Sequence, residues 1–504
     1  MKTDMLPRAL EKHDTIAVNS HDLLHHFGYF NVHIFFVLFT PSLYYKEGLS
    51  LKKTRGLDKN SPTDTIEISV ECLEHPGVIM KILTVTCWSH KIKYYLLAAG
   101  GRTILASGII ERVGLDGSFI CQSIPGREPL TLKMDNDDHQ SALALIISTL
   151  TDPQHGVIAN VSEISAVGHR VAHGGKEFTH SVQIDDNVLN SIRQLQHLAP
   201  IHSAPNILGI EAAMVLMPSI PHVAIFDTAF HLSMPEHAYI YPLPYEWHEK
   251  HGVRRYGFHG PSHLYLSRRA AVLLGKPVEA CNLITIHLDR GVSLCAIRNG
   301  LSVDTSMGMT PLEGAVMETR CGDIDAGIHS YMMKTLNLST KEFELVLNNR
   351  SGIFGITGQH MERHHFVRAA LEGSPRCKLA LDIETYRLKK YIGSYVAIAG
   401  PLDAIVFTTG SGAIESTVRE MVLHELDIIG IRIDRDSNRS IRAHHEEAEI
   451  SGKGSLVRTF IIPTNEELVI AEDVAAILSG VCCNHLHYDY SFANSDFVPS
   501  ASMR

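Results

Sequence analysis

MKILTVTCWSHKIKYYLLAAGGRTILASGIIERV, residues 80–113, decides the fold. It reads as three strands joined by tight turns, one around Ser89 and one at Gly100–Gly101. A second stretch of the same kind begins near Asn282. There NLITIHL (282–288), a DRG turn, VSLCAI (292–297), an RNG turn and LSVDTSM (301–307) form another strand meander. Helical segments lie between and after the meanders. ILGIEAAMVLM (207–217) has Ser203, Pro205 and Asn206 as start signals. KLALDIETYRLKKYIGSYVAIAG (378–400) is closed by Gly400–Pro401. Two meanders, each followed by helices and further strands, predict two related α/β halves.

Outward from these units, the 504 residues predict more than one domain. An apolar share of 45% and a charged share of 20% suit a globular chain with large cores. A net charge of -10 argues against a surface that coats nucleic acid, so an anionic substrate would need a local positive site. Nine cysteines without metal-like pairing read as reduced thiols in a cytosolic protein. Cys482–Cys483 beside His485 and His487 matches no familiar metal spacing and reads as tail. The best apolar run, Tyr29 to Tyr45, is broken by Asn31, His33 and Pro41. It is short for a bilayer and starts too late for a signal peptide. Residues 1–79 show no sustained periodicity.

Five segments combine glycine and ionisable residues beside apolar strands: GHRVAHGG (168–175), IFDTAFH (225–231), RRYGFHGPSH (254–263), TPLEGAVMETRCGDIDAG (310–327) and PTNEELVIA (463–471). Singly, each has a plain structural reading. Arg170 could be a surface ion pair, Asp227 a cap, His259 a turn residue, and Asp323 and Asp325 helix caps. As a set, two arginines, a carboxylate and a histidine on Gly-rich strand ends form a site for moving an anionic group. Phosphoryl transfer asks for positioning and charge neutralisation rather than covalent work. If the acceptor is also an anion, cations must offset the repulsion, and arginine offers a planar fork for oxygens.

In content and order these segments resemble the acetate kinase family, part of the sugar kinase, heat-shock protein 70 and actin superfamily, over roughly residues 80–480. The family opens on a strand followed by Asn-x-Gly-Ser-Ser-Ser-x-Lys, matched here by TVTCWSHKIK (84–93). The resemblance implies an α/β fold of two duplicated actin-like (ribonuclease H-like) ATPase domains around a central cleft. Domain I would span 80–231 with a C-terminal helix at 466–484, and domain II 232–465, flanked by an extension 1–79 and a tail 485–504. The implied activity is reversible phosphoryl transfer from ATP to acetate, or another short-chain acid such as propionate, with Mg²⁺ or Mn²⁺. A cytoplasmic homodimer without nucleic-acid or membrane partners goes with it.

The resemblance also assigns roles. Asp227, His259 and Arg320 would be catalytic. Arg170, Ala172, Ile201, His202, Phe258 and Pro311 would hold the acid. Lys93, His287, Leu288, Asp289, Arg290, Gly291, Gly410, Ser411 and Gly412 would hold the nucleotide. Thr86 and Glu466 would hold the metal, Glu466 through water. Ala172 stands where the family commonly has Val, which leaves room for one more carbon.

The nucleotide side departs from the family pattern. Thr86 replaces Asn, and Trp88-Ser89-His90-Lys91 replaces Gly-Ser-Ser-Ser, where Trp88 would hinder approach to a phosphate. HLDRG (287–291) replaces His-Leu-Gly-Asn-Gly, adding Asp289 with Arg290 as an offset. GSGAI (410–414) replaces Gly-Ile-Gly-Glu-Asn. QHMER (359–363) replaces Ser-Ser-Asp-x-Arg, with Glu362 and Arg363 as substitutes. Three readings follow: an ATP-dependent kinase, the same chemistry with another donor such as pyrophosphate, and a non-catalytic homologue that binds an acyl phosphate or nucleotide. The intact Arg170, Asp227, His259, Arg320 and Glu466 favour the first.

Overall fold

A computed structural model describes residues 48–54, 65–71, 80–98, 103–133, 138–408, 415–441, 446–481, 484–485 and 488–499. The chain divides into two compact units, Met1–Val78 and Ile79–Arg504. In the first, β1 (Gly48–Thr54) and β2 (Thr65–Glu71) form an antiparallel ladder from Gly48↔Glu71 to Thr54↔Thr65. The alternation of Ile66, Ile68 and Val70 with Glu67, Ser69 and Glu71 carries this strand signal. It corrects the reading of 1–79 as patternless.

The second unit holds two sheets. The first contains β3 (Lys81–Trp88), β4 (Lys91–Ala98), β5 (Thr103–Glu111), β6 (Phe119–Ser123), β7 (Leu130–Lys133), β8 (Ala166–Val171), β9 (Val182–Gln183) and β10 (His222–Phe226). Its spatial order is β7-β6-β5-β4-β3-β8-β10-β9. The second contains β11 (Leu283–Leu288), β12 (Val292–Arg298), β13 (Leu301–Thr305), β14 (Ala404–Phe407), β15 (Ala448–Glu449) and β16 (Arg458–Ile461), in the order β13-β12-β11-β14-β16-β15. Both follow one plan. The first strand of an antiparallel meander, β3 or β11, pairs on its other side with a parallel strand, β8 or β14. A second parallel strand and a short antiparallel edge strand complete the series. The duplication expected from the two meanders is therefore present in the pairing; β6 and β7 are additions to the first copy.

Covered on both faces, β3 and β11 read as near-continuous apolar runs. Alternation then sorts their residues. Leu83, Val85 and Cys87 pack with Ala142 and Ile146 of the helix His139–Leu150 and with Ala212 and Ala213 of the helix Pro200–Leu216. On the other face, Ile82 packs with Ile470 and Val474 of the helix Glu466–Leu478. In the second sheet, Ile284, Ile286 and Leu288 pack with the long helix Pro375–Ala399, while Leu283 shares a core with Leu264 and Ala270 of the helix Gly260–Leu274. Leu468 and Val469 enter that same core. The helices Gly260–Leu274 and Glu466–Leu478 thus lie between the sheets and pack on each other.

Two expectations need correction. The helix expected at 207–217 begins at Pro200, with Pro205 inside it. The start signals Ser203, Pro205 and Asn206 fall in its first turns because Pro200 already occupies the first position, where a missing N–H is tolerated. The segment read as tail is tied down: Tyr490 and Phe492 are buried in the core shared by both inner helices. His485 Nδ1 lies 2.8 Å from the Tyr490 hydroxyl, which donates to Asp473 at 2.7 Å. Cys482, Cys483 and His487 lie outside the described residues. Among the described residues, no helix is long and apolar enough to cross a membrane.

Candidate active site

Strand alternation places the key side chains. Even-numbered residues of β3 face the helix Glu466–Leu478, which brings Thr86 toward Glu466. Arg170 is the penultimate residue of β8, and Asp227 follows directly on β10. These are carboxyl ends of parallel strands, where open α/β sheets present ligand sites. A cleft of about 90 Å³ opens there, lined by Thr86, Trp88, Arg170, Ala172, His202, Asn206, Asp227, Phe258, His259, Pro311 and Arg320.

Arg170 is the hub. Its Nε donates to Asp227 Oδ1 at 2.7 Å and its Nη2 to Oδ2 at 3.0 Å. Its Nη1 donates to Glu466 Oε2 at 3.0 Å. The fork spans both Asp227 oxygens, so Asp227 serves to orient the arginine. Burial works against the Arg170 charge, but the two carboxylates more than offset it and raise its pKa. Glu466 behaves differently: burial pushes its carboxyl up to about 7 despite Arg170. Its Oε1 is buried and has no protein partner. An orphaned carboxylate oxygen on the helix that the Thr86 face of β3 packs against suits a hydrated divalent cation, which takes few protein ligands directly. Next along, Glu467 Oε1 accepts from Lys93 Nζ at 2.6 Å.

Arg320 contrasts with Arg170. Its Nη1 donates to the Pro311 carbonyl at 2.8 Å. Among the described residues, no carboxylate lies within ion-pair distance of it. Burial lowers its pKa to about 10, with Glu318 acting the other way. It stays a cation near neutral pH in the cleft wall.

The histidines are placed by one turn. His259 adopts a left-handed backbone (φ +59°) and precedes the helix Gly260–Leu274, whose Gly260 N–H donates to the Asp227 carbonyl at 2.9 Å. A Cβ on Gly260 would sit 2.4 Å from that oxygen, so only glycine allows the approach. The helix N-terminus thereby opens at the cleft, where its dipole favours anions. His287 packs against His259 with ring centroids 4.2 Å apart and the rings tilted by 36°. Burial lowers both pKa values, His287 to about 4. His202 is likewise lowered to about 4, first by burial and then by Arg320. His173 sits behind the pocket, edge-on to Tyr256 and Phe258.

The remaining expected residues divide. Gly291 abuts the site: a Cβ there would meet Arg320 Nη2 at 2.6 Å and His259 Cε1 at 3.1 Å. Asp289 and Arg290 are exposed beside it, with Arg290 Nε 3.3 Å from Glu318 Oε2. The Leu288 side chain lies in the second sheet's core, and its N–H donates to Thr408 Oγ1 at 2.9 Å. Ile201 is half-buried on the helix that carries His202 but is not in the cleft lining. Arg363 donates to the fully buried Glu384 at 2.7 Å, which directs it to the helix Pro375–Ala399. Asp323 is no helix cap: it accepts from Gly314 N and the Tyr391 hydroxyl. Gly410, Ser411 and Gly412 lie outside the described residues. Glu362, His364 and His365 approach one another, but Glu362 meets His364 Nδ1 (3.3 Å) and His365 meets its Nε2 (3.1 Å). Opposite edges of one ring do not converge on a single cation.

Asn206 was not anticipated. It accepts from Ala172 N at 2.8 Å and donates to the Cys87 carbonyl at 2.8 Å, tying the ends of β8 and β3 to the helix Pro200–Leu216. An amide inside an otherwise apolar helical run was the signal available.

A model described as the Acetokinase family matches residues 81–472. The acetate kinase of Geobacter sulfurreducens is 55% identical over 419 residues, covering 83% of this chain and all of the relative. The acetate kinase of Halothermothrix orenii is 48% identical over 399 residues, covering 79% of this chain and all of the relative. Among solved structures, Porphyromonas gingivalis acetate kinase superposes with a TM-score of 0.73 at 40% identity, over 79% of this chain and all of that one. A propionate kinase from Francisella tularensis superposes with a TM-score of 0.73 at 35% identity, over 78% of this chain and 98% of that one.

Proposed function

The chain belongs to the acetokinase family, and from that footing we infer that it transfers a phosphoryl group from ATP to a short-chain carboxylate. The products are an acyl phosphate and ADP, and the reaction runs both ways. Arg320 carries this reading: it is a cleft cation with no counter-ion among the described residues, alongside Arg170. A carboxylate and a phosphoryl group, both anionic, are what such a pair neutralises.

In this reading a carboxylate oxygen of the acid attacks the γ-phosphorus as the bond to the bridging oxygen breaks. Arg320 and Arg170 offset the charge of the two reactants, and Asp227 holds the Arg170 fork flat against them. His259 donates to the group in flight and His287 to the nucleotide phosphates. Ala172, Phe258 and Pro311 enclose the acyl methyl group, and Ala172 leaves room for propionate. Thr86 and the free oxygen of Glu466 would hold Mg²⁺, which when bound would supply neutralisation of phosphate charge. Lys93, Gly291 and the loop at 410–412 serve the nucleotide. We further infer a hinge between domain I (80–231 with the helix Glu466–Leu478, shorter than the expected 466–484) and domain II (232–465), with closure excluding water. A cytoplasmic homodimer completes the assignment.

The test is hydroxamate trapping of product from acetate and propionate, with ATP and pyrophosphate side by side. Product with ATP and Mg²⁺ is expected. Product with pyrophosphate alone would reassign the donor, and none with either would overturn the reading.

A further inference from the structure

The polar groups behind His259 and His287 extend further than a phosphate contact requires. His259 Nδ1 lies 2.8 Å from Ser293 Oγ, and the same oxygen lies 2.8 Å from His263 Nε2. His263 Nδ1 lies 2.7 Å from Thr285 Oγ1. Ser293, His263 and Thr285 are completely buried. A shorter chain stands behind His287: Thr464 Oγ1 donates to Ser262 Oγ at 2.9 Å, and Ser262 Oγ lies 2.8 Å from His287 Nδ1. Odd-numbered residues of β11 face the helix Gly260–Leu274, so Thr285 meets His263 and His287 meets Ser262.

Proton counting sets the direction. A hydroxyl carries one proton, and so does a neutral imidazole. Ser293 Oγ could accept from both rings, but its own buried proton has these two nitrogens as its partners, so that proton is satisfied only when one nitrogen is bare and the other protonated. Two arrangements satisfy every contact. In the first, Thr285 donates to His263 Nδ1, His263 Nε2–H donates to Ser293, and Ser293 donates to His259 Nδ1. His259 then presents Nε2–H. In the second, every bond reverses and His259 presents a bare Nε2, which would aim a lone pair at an anionic oxygen. Any anion in the cleft selects the first. The Thr464 proton on Ser262 Oγ likewise sends the Ser262 proton to His287 Nδ1, leaving His287 with Nε2–H.

We propose that Ser293, His263 and Thr285, with Ser262 and Thr464, are positioning residues that fix His259 and His287 as neutral Nε2–H donors toward the phosphoryl groups. This rests on the kinase reading above. Hydroxyls stand where a carboxylate would otherwise back each imidazole, so the relay sets the tautomer without favouring charge. Burial, followed by the neighbouring histidines, keeps His259 and His263 well below the usual histidine range, with Arg170 and Arg320 adding to the effect at His259. Two neutral donors can then contact the phosphates without competing with the arginines for them.

The test labels histidine with ¹⁵N in the intact protein and adds inorganic phosphate. The His259 ring is assigned by the signals lost in His259→Gln. A bare Nδ1 and protonated Nε2 are expected in the wild type, and a shift toward the other tautomer in Ser293→Ala. That variant is expected to lose about 10- to 100-fold in kcat, with both KM values within about twofold, while Ser293→Thr keeps the hydroxyl and restores the rate. Should Ser293→Ala fail to fold, Thr285→Val is expected to shift the tautomer and kcat in the same direction, by less. A bare Nε2 in the wild type, or a folded Ser293→Ala with unchanged tautomer and kcat, would overturn the proposal. A wild type without acyl phosphate formation but with the expected tautomer would overturn the kinase reading alone.

Discussion

Trp88 and Ala172 mark the two ends of the cleft's chemistry, and each yields a prediction at the scale of one side chain. Trp88 ends β3 in the cleft lining, 38% exposed, where the resembling family has glycine. On the kinase reading, its indole would stand where the backbone meets a phosphate. Trp88→Gly is expected to lower the KM for ATP several-fold with little change for the acid; an unchanged or higher KM would show that the ring is accommodated. Ala172 lines the cleft with Phe258 and Pro311, where the kinase reading puts the acyl group. Ala172→Val should shift the kcat/KM ratio of acetate to propionate toward acetate by about 10-fold, the order one methylene commands in an apolar pocket. Competition between the two acids measures it directly, and an unmoved ratio would remove Ala172 from the pocket. Side-chain identities were legible here because glycine, arginine and histidine stand out against apolar strands. Ile201 was not, since a residue adjacent to His202 on a helix turns about 100° away from it.

At the scale of elements, the helix Pro200–Leu216 is held to two strand ends by Asn206. Asn206→Leu removes the acceptor for Ala172 N and the donor for the Cys87 carbonyl, stranding both groups. The expected loss is about 2–4 kcal/mol, read as a lower urea midpoint, together with reduced kcat because Ala172 and Thr86 flank the cleft. Full stability in the variant would mean that water replaces the amide. The meanders were readable because their turns carry Asn, Gly and Ser and their strands β-formers. The helix start was not, because Pro205 and Asn206 imitate a boundary while serving packing and tertiary bonding. Nor was the hairpin of β1 and β2, a short alternation amid charged residues.

Across the whole molecule, buried neutral histidines link stability to pH. His173, His202 and His231 are each lowered to about 4, chiefly by burial. Between their ordinary value and about 4 the unfolded chain binds more protons than the folded one, so stability rises with pH through this window and is lost as pH falls. The urea midpoint is expected to be lower at pH 5 than at pH 7; equal midpoints would show these rings charged or exposed in the fold. Duplication of the sheets explains how much could be foreseen. Two meanders forecast two halves, but convergence needed coordinates: Arg170 and Glu466 are 296 residues apart yet share a hydrogen bond.

The central claim, that the cleft around Arg320 moves a phosphoryl group between a carboxylate and a nucleotide, is tested most directly in reverse. Acetyl phosphate, ADP and Mg²⁺ are mixed with wild type and with Arg320→Ala, and ATP is measured beside circular dichroism of both proteins. The account predicts ATP from the wild type and a loss of about 10²- to 10³-fold in the variant, with both folds intact. No ATP from folded wild type, or equal rates from the two proteins, would contradict it.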